Sequence, residues 1–413
     1  MHEHGTGAVG PRPVSGRGAR ASGLRRANLS AVLRHVHLHG GTSRSELTAA
    51  IGLNRSTIGA LVAELVDLGL VTEVGGTASS GPGRPSPVVH PRAEGAHVLA
   101  IELAADAATV ATVGIGGHVV STATVPHDPQ KHAPEDLVAD LATAAGPLLE
   151  TLSGGTLTAV GVAVVGVTRR SDGFVHLAPN LGWRDVPLAA SLRAALRPRL
   201  PGPVPVHVAN EADLGALAEH RRGAGRGVDH LVFVSGEIGI GVGVISDGVP
   251  LLGAAGYAGE AGHMLIDPQG RRCGCGARGC WETAAGQTAL LREAGMDPHA
   301  PGAVAVPELL ARAEAGDEAA LGAAEAVGRW LGIGVGNLVN LLNPSLVVLS
   351  GLYRQTFPLI ERSVREGLAT RVLDPPGELV RIVPSALGGS APLVGAAELA
   401  FAELLSDPGL HVG

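Results

Sequence analysis

The sequence predicts an α/β fold of two lobes preceded by a small all-α domain, and three observations carry that reading. Apolar residues make up 45% of the 413 and charged ones 17%, enough to bury a large core. From about residue 97 onward, short β-rich runs alternate with helical stretches, as in a layered α/β protein. Ahead of that point the pattern is helical and the charge changes sign. Residues 1–92 hold 10 Arg and 5 acidic residues, a net of +5, and the rest of the chain carries −12. The front suits a polyanionic partner and the remainder repels one. The 61 Gly and 28 Pro are scattered, which excludes collagen and points to many tight turns. An apolar run of about eighteen residues, as a membrane span needs, is absent. The N-terminus lacks the apolar stretch of a secretory signal. Three cysteines crowded between 273 and 280 cannot make a disulfide framework, so a cytoplasmic protein is expected. The single lysine, Lys131, follows Gln130, which excludes a Gly-Lys-Ser/Thr phosphate loop.

Residues 1–24 mix Gly, Pro, Ser and Arg without apolar periodicity and read as a flexible tail. Between Asn28 and His39, Leu29, Val32, Leu33 and Val36 fall on one helical face, and Gly40-Gly41 ends the helix. His35, His37 and His39 have no cysteine beside them and read as solvated surface histidines. Ser45 has N-cap character for a short helix holding Leu47 and Ile51, which Gly52 stops. A third helix from about Arg55 to Leu68 turns Ile58, Leu61, Val62 and Leu65 inward. Residues 70–74 read as a strand, 77–87 as an open loop and 88–90 as a returning strand. Three helices and a β-ribbon spell a winged helix-turn-helix over 25–92. With its third helix in a major groove, Asn54, Arg55, Ser56 and Thr57 face base edges of double-stranded DNA. Arg84, at the tip of the loop, suits a narrow minor groove.

Strands follow at 97–103, 108–113 and 118–125, then at 159–166, 205–210, 230–236, 242–246 and 346–351. Helices are expected near 135–152, 211–222, 283–294, 306–342, 357–371 and 391–405, with no tandem repeat of fixed period. The sharpest local signal is Gly259-Glu260-Ala261-Gly262-His263 followed by Cys273-Gly274-Cys275 and Gly279-Cys280-Trp281-Glu282. Three thiolates and one imidazole, His263, Cys273, Cys275 and Cys280, form a closed tetrahedral set for a structural Zn²⁺.

On these motifs the chain resembles the ROK family of repressors and sugar kinases, over roughly 25–405. The family's zinc motif, GExGH…CxCGxxGCxE, is matched at every position. The resemblance implies a two-lobed, actin-like (ribonuclease H-like) sugar-kinase fold over 97–407. It further implies that Glu260 and Glu282 bind sugar hydroxyls, that His263 serves both metal and sugar, and that Asn180 and Asn210 complete the contacts. Glu211 stands where family kinases carry the catalytic Asp. Their first phosphate loop, Asp-x-Gly-Gly-Thr, here reads Glu102-Leu103-Ala104-Ala105-Asp106, and the second begins at Glu237. At an effective dielectric of about 20, each acid near 4 Å from a phosphate opposes binding by roughly 4 kcal/mol before screening.

The resulting reading is a sugar-responsive DNA-binding regulator, not an enzyme, with one structural Zn²⁺ per chain. A homodimer or homotetramer is expected, because helix-turn-helix proteins commonly read two half-sites. An active sugar kinase with an added DNA-binding domain is one alternative, disfavoured by both phosphate loops. A zinc-sensing regulator is the other, disfavoured by how tightly a closed Cys₃His set holds its metal.

Overall fold

The structure is a computed structural model that describes residues 16–75, 86–128, 131–152, 154–200 and 202–411. The chain divides into two compact units, 1–95 with 402–413, and 96–401.

The first unit opens with helix α1, Gly16–His39, earlier than the sequence pattern suggests. Its start falls inside the stretch read as a tail, where Ala and Arg favour helix even without an apolar face. Leu29, Val32, Leu33 and Val36 are buried, and so is His37, against the expectation of three surface histidines. His35 and His39 stack on each other with ring centroids 4.2 Å apart. Helix α2, Arg44–Ile51, is capped by Ser43 rather than Ser45. Ser43 Oγ accepts from Glu46 N at 3.2 Å, and Glu46 returns a carboxylate to Ser43 N at 2.7 Å. That reciprocal pair needs Glu three residues after the cap, which Ser43 has and Ser45 lacks. Gly52 ends α2 at φ 76°, Leu53 and Asn54 follow, and α3, Arg55–Asp67, begins. The axes of α2 and α3 bend by 113°, within the range of helix-turn-helix pairs. Strands β1, Thr42–Ser43, β2, Val71–Val74, and β3, Val88–Pro91, form an antiparallel sheet in the order β1-β3-β2.

In the second unit, β4, Ala96–Leu103, β5, Ala107–Gly114, and β6, His118–Pro126, form the expected meander. Helix α4, Pro134–Glu150, leads to β7, Thr156–Val164. Next come three short strands, β8, Val167–Arg169, β9, Phe174–Ala178, and β10, Trp183–Val186, and helix α5, Leu188–Leu196. None of these four was foreseen, because their apolar runs are too short to show a period. Strand β11, Val206–Asn210, then joins β7 in parallel, giving a sheet ordered β11-β7-β4-β5-β6.

Helix α6, Glu211–Arg222, links this sheet to a second built from β12, Leu231–Gly236, β13, Ile240–Ser246, and β14, Val249–Pro250. A loop region leads to helices α7, Trp281–Ala285, and α8, Gln287–Glu293. The helix expected over 306–342 is two, α9, Gly302–Glu314, and α10, Glu318–Leu342. Gly316 turns the chain at φ 83°, and Asp317 caps α10 by accepting from Ala319 N and Ala320 N. Strand β15, Leu346–Gly351, helices α11, Leu352–Ala369, and α12, Asp374–Leu379, and strand β16, Arg381–Pro384, complete the sheet β14-β13-β12-β15-β16. Both sheets therefore repeat one plan, an antiparallel meander followed by two parallel strands, with no matching repeat in sequence. This is the two-lobed sugar-kinase fold.

Helix α13, Ala391–Ala400, packs on α6, β4 and β7. Helix α14, Ala402–Ser406, belongs instead to the first unit, so the sugar-kinase body closes at 401 and not at 407. Ser30 Oγ donates to Leu405 O at 2.6 Å, and Arg26 pairs with Asp407 at 3.2 Å. Leu404 and Leu405 are buried, which holds the end of the chain against α1. Among the described residues, no single helix is long and apolar enough to cross a membrane.

Close approach of α6 and α13 depends on Gly395, where an added Cβ would collide with Leu214 O. Gly395→Val should therefore cost about 1–3 kcal/mol of stability, read as a lower urea midpoint. Gly322→Ala, at an exposed position on α10 with nothing near its would-be Cβ, should be neutral or raise the midpoint.

Candidate functional site

The metal-ligand candidates converge. His263, in a short 3-10 turn, and the loop cysteines Cys273, Cys275 and Cys280 bring one donor atom each within 4.8 Å of all the others. Cys275 Sγ lies 3.6 Å from Cys280 Sγ, and Cys273 Sγ lies 3.7 Å from His263 Nδ1. A tetrahedral Zn²⁺ with Zn–S of about 2.3 Å and Zn–N of about 2.0 Å requires edges of roughly 3.5–3.8 Å, so spacing and donor chemistry both fit. Gly276 and Gly279, at φ 95° and 76°, turn the loop sharply enough to bring the thiols together. Nδ1 of His263 faces the thiols, which leaves Nε2 on the outer side of the ring.

Glu282, on the first turn of α7, accepts from Cys273 Sγ at 2.8 Å and lies 3.5 Å from His263 Nδ1. Its other oxygen rests against Gly239, where a Cβ would come within 2.5 Å. Glu260 stands close enough for its carboxyl, raised by burial, to feel His263 and Glu282. Glu260, His263 and Glu282 thus form one polar edge beside the cysteine loop.

Asn180 and Glu211 go elsewhere, to a cavity of about 140 Å³ at the C-terminal ends of β4 and β12. Glu102 near the end of β4 and Ala104 and Ala105 of the β4–β5 turn line it, as does Glu237 of the β12–β13 turn. The two turns are equivalent positions in the repeated sheet plan. An adjoining cavity of about 430 Å³ shares Ala104, Ala105 and Glu237 and extends to Gln287 and His299. Asn210 lines neither cavity. It caps α6, its Oδ1 accepting from Ala212 N at 2.7 Å and its Nδ2 donating to Gly166 O at 3.0 Å. An Asn between a strand and a helix is itself a cap signal in the sequence.

Electrostatics separate this cavity from a phosphate site. Burial pushes Glu211 up to about 8, with Glu237 and Glu102 repelling it further. Burial raises Glu102 to about 7, aided by Glu237, and Glu237 to about 7, aided by Asp106. Asp213, one turn into α6, is also raised to about 7 by burial while the half-buried Arg170 pulls it down. Arg170 lies outside every motif, so nothing in the sequence marked it.

On the first unit, Arg55 is exposed at the start of α3 and makes no ion pair among the described residues. Asn54 and Ser56 are less free than the sequence implies. Asn54 Oδ1 caps α3 through Thr57 N at 2.9 Å and also accepts from Ser56 Oγ at 2.7 Å. Thr57 is partly buried behind them. Arg84 lies outside the described residues.

Fold and site together define a sugar-kinase scaffold with acids gathered at the ends of β4 and β12, preceded by a winged helix-turn-helix. Residues 98–403 match the ROK family, and the chain belongs to it. The xylose repressor of Bacillus subtilis (strain 168) is 30% identical over 389 residues, 92% of this chain and 97% of the relative. A solved ROK family transcriptional regulator, described as a homolog of the E. coli MLC protein, superposes with a TM-score of 0.74 at 26% identity. It covers 94% of this chain and 97% of its own. A ROK family glucokinase from Streptomyces griseus, solved with glucose and AMPPNP, is 28% identical with a TM-score of 0.62, covering 74% of this chain and 99% of its own.

Raised carboxyls make stability depend on pH with a definite sign. The folded protein holds protons on Glu102, Glu211 and Glu237 that the unfolded chain releases above about pH 4.5, so stability declines as pH rises from there through 8. Glu211→Gln should raise the melting temperature at pH 8 more than at pH 5.5. The gain should be up to about 1 kcal/mol once solvent in the cavity is allowed for. An equal gain at both pH values contradicts the assignment.

Proposed function

We propose that the chain is a sugar-responsive transcriptional repressor that binds operator DNA through residues 25–92 and senses a monosaccharide in the body that follows. The observation that carries this reading is coverage. Proteins named xylose repressors match 92% of the chain or more, whereas the glucokinase of known structure accounts for 74%. Exposed Arg55 at the head of α3 supports base reading by that helix. Asn54 and Ser56, engaged in capping, act mainly by fixing the angle of its first turn.

Kinase activity is absent in this reading. Asp106 and Glu237 stand where family kinases carry no acid and repel a triphosphate, and no lysine or arginine lines the cavity beside them. Glu260, His263 and Glu282 hold sugar hydroxyls at the cysteine-loop edge, Asn180 and Glu211 meet the ligand from the cavity between the turns, and Asn210 braces the start of α6.

His263, Cys273, Cys275 and Cys280 would hold one Zn²⁺ as a structural crosslink with no position open for catalysis. These residues fix the loop that carries Glu260 on one side and Glu282 on the other, which orients the sugar edge. A ligand that contacts both lobes favours one lobe angle over another, and a homo-oligomer converts that bias into a change in operator affinity. The protein acts in the cytoplasm.

Genomic fragments selected by the full-length protein supply the operator for a mobility-shift titration. Arg55→Ala should weaken operator binding by about 1–3 kcal/mol and relax base preference. Operator binding should also respond to one member of a panel containing xylose and glucose. Retention of full affinity by Arg55→Ala, together with indifference to every sugar, would sink the proposal. Elemental analysis should find about one zinc per chain, lost when all three cysteines become serine. Undiminished zinc in that variant excludes the Cys₃His assignment.

A further inference from the structure

The cavity between the two acidic turns is rich in hydrogen-bond acceptors and has no cation of its own. Glu102, Glu211 and Glu237 reach it from three different elements, and Asn180 joins them. Two more polar groups line it from the sheet. Parallel pairing of β12 with β15 sets Ser235 beside Ser350. By strand alternation both serines share the face of Phe233 and Val348, which α6 covers. That face opens into the cavity where the strands end, and Phe233, Ser235 and Ser350 all border it. Ser235 is 9% exposed and Ser350 3%, yet neither hydroxyl makes a hydrogen bond among the described residues. Both residues border the cavity, where their hydroxyls are free to meet a ligand.

Around this cavity the other charged groups are accounted for. Asp106, in the first turn, adds to the negative potential. Tyr353, buried near Glu237, donates its hydroxyl to Ala285 O at 3.0 Å. Arg354, beside Gly388, directs Nε to Ser385 O at 2.9 Å. The negative charge thus has no counter-ion in the cavity wall.

We propose that this cavity binds the protonated amine of an amine-bearing ligand, and that the effector is an amino sugar. The proposal rests on the sugar-responsive reading and narrows its ligand class. Carboxylates on different sides of the cavity accept from an ammonium group and from the donors beside it, and Ser235, Ser350 and Asn180 both accept from and donate to the hydroxyls around it. A cavity of about 140 Å³ has room for the aminated end of such a ligand. A metal ion suits the site less well. Among the described residues, only the Cys₃His set gathers three or more His, Cys, Asp or Glu donors within 4.8 Å of one another. The carboxylates are spread too widely for one ion, whereas an amino sugar distributes its donors along a carbon frame. Ligand binding should also expel protons, since carboxyls raised to about 7 and 8 ionise beside an ammonium group.

The test uses the full-length protein with its metal at pH 7.5. Glucosamine, galactosamine and mannosamine are titrated by calorimetry against their N-acetylated forms and against glucose, galactose and mannose. One amino sugar should bind at least tenfold more tightly than its N-acetylated and hydroxyl counterparts, and should release protons on binding. Glu102→Gln and Glu237→Gln should each weaken it at least tenfold while zinc content stays at the parent level. A neutral sugar that binds best, with an affinity both variants retain, overturns the amine site and leaves the sugar-responsive reading intact. Stabilisation by MgCl₂ or CaCl₂ that depends on Glu237, with all three amino sugars inert, overturns it in favour of a metal. Failure of every sugar, charged or neutral, to bind overturns both.

Discussion

Gly243, Gly395 and Gly215 leave the backbone of α6 bare on three sides, and the seat of that helix governs most of the second unit. An added Cβ at Gly243 would strike Ala212 O, one at Gly395 would strike Leu214 O, and one at Gly215 would meet the Phe233 ring at 2.5 Å. The helix is then pinned by charge. Glu219, fully buried, accepts from Ser385 Oγ, from Leu387 N at 2.9 Å and from Ala224 N at 2.7 Å. Arg221 and Arg222 both pair with Glu398 on α13, itself 1% exposed. Removing one partner of such a buried set leaves an uncompensated charge, so the packing has few alternatives. Glu211 at the other end of α6 inherits that rigidity.

The repeated sheet plan explains where the acids fall. In each sheet the first hairpin turn sits at the same end as the parallel strands' C-termini, where open α/β sheets receive their ligands. Glu237 opens the β12–β13 turn and Ala104 the equivalent β4–β5 turn, with Glu102 near the end of β4 beside it, so both sheets bring an acid to one shared space. Alanines of the first turn and carboxylates from both sheets line that space. The Glu260, His263 and Glu282 edge is anchored by the cysteine loop and α7, and Glu282 also rests against Gly239 of the second turn.

Long periodic elements and residues with one dominant chemistry were legible in the sequence. The meander, the helix-turn-helix spacing and the Cys₃His cluster all rest on repetition or on rare residue types. Short elements were not. Strands of three to five residues such as β8, β9 and β10 show no period, and the hairpins they form are fixed by neighbours distant in sequence. Side-chain allegiance was equally hidden. Asn210 and Asn54 offer the same amide to a ligand, a base or a helix cap, and only the adjoining backbone decides for the cap. His37 could not be distinguished from His35 and His39 by type, since its burial comes from how the rest of the first unit covers α1. The capping box at Ser43 was available from spacing alone, and Ser45 obscured it by offering the same hydroxyl two residues later.

Trp281 gives the metal loop an optical readout. The chain has three tryptophans, so a change at one stands out against few others. Trp281 follows Cys280 directly and is fully buried, its Nε1 donating to Trp330 O at 3.0 Å. Gly334 on α10 leaves the space that its ring fills. Displacement of Cys280 therefore moves an indole held between the loop and the longest helix of the second unit. Loosening of that loop is written into ultraviolet emission, and the molecule carries its own fluorophore at the place where the cysteine loop and the hydrophobic core meet.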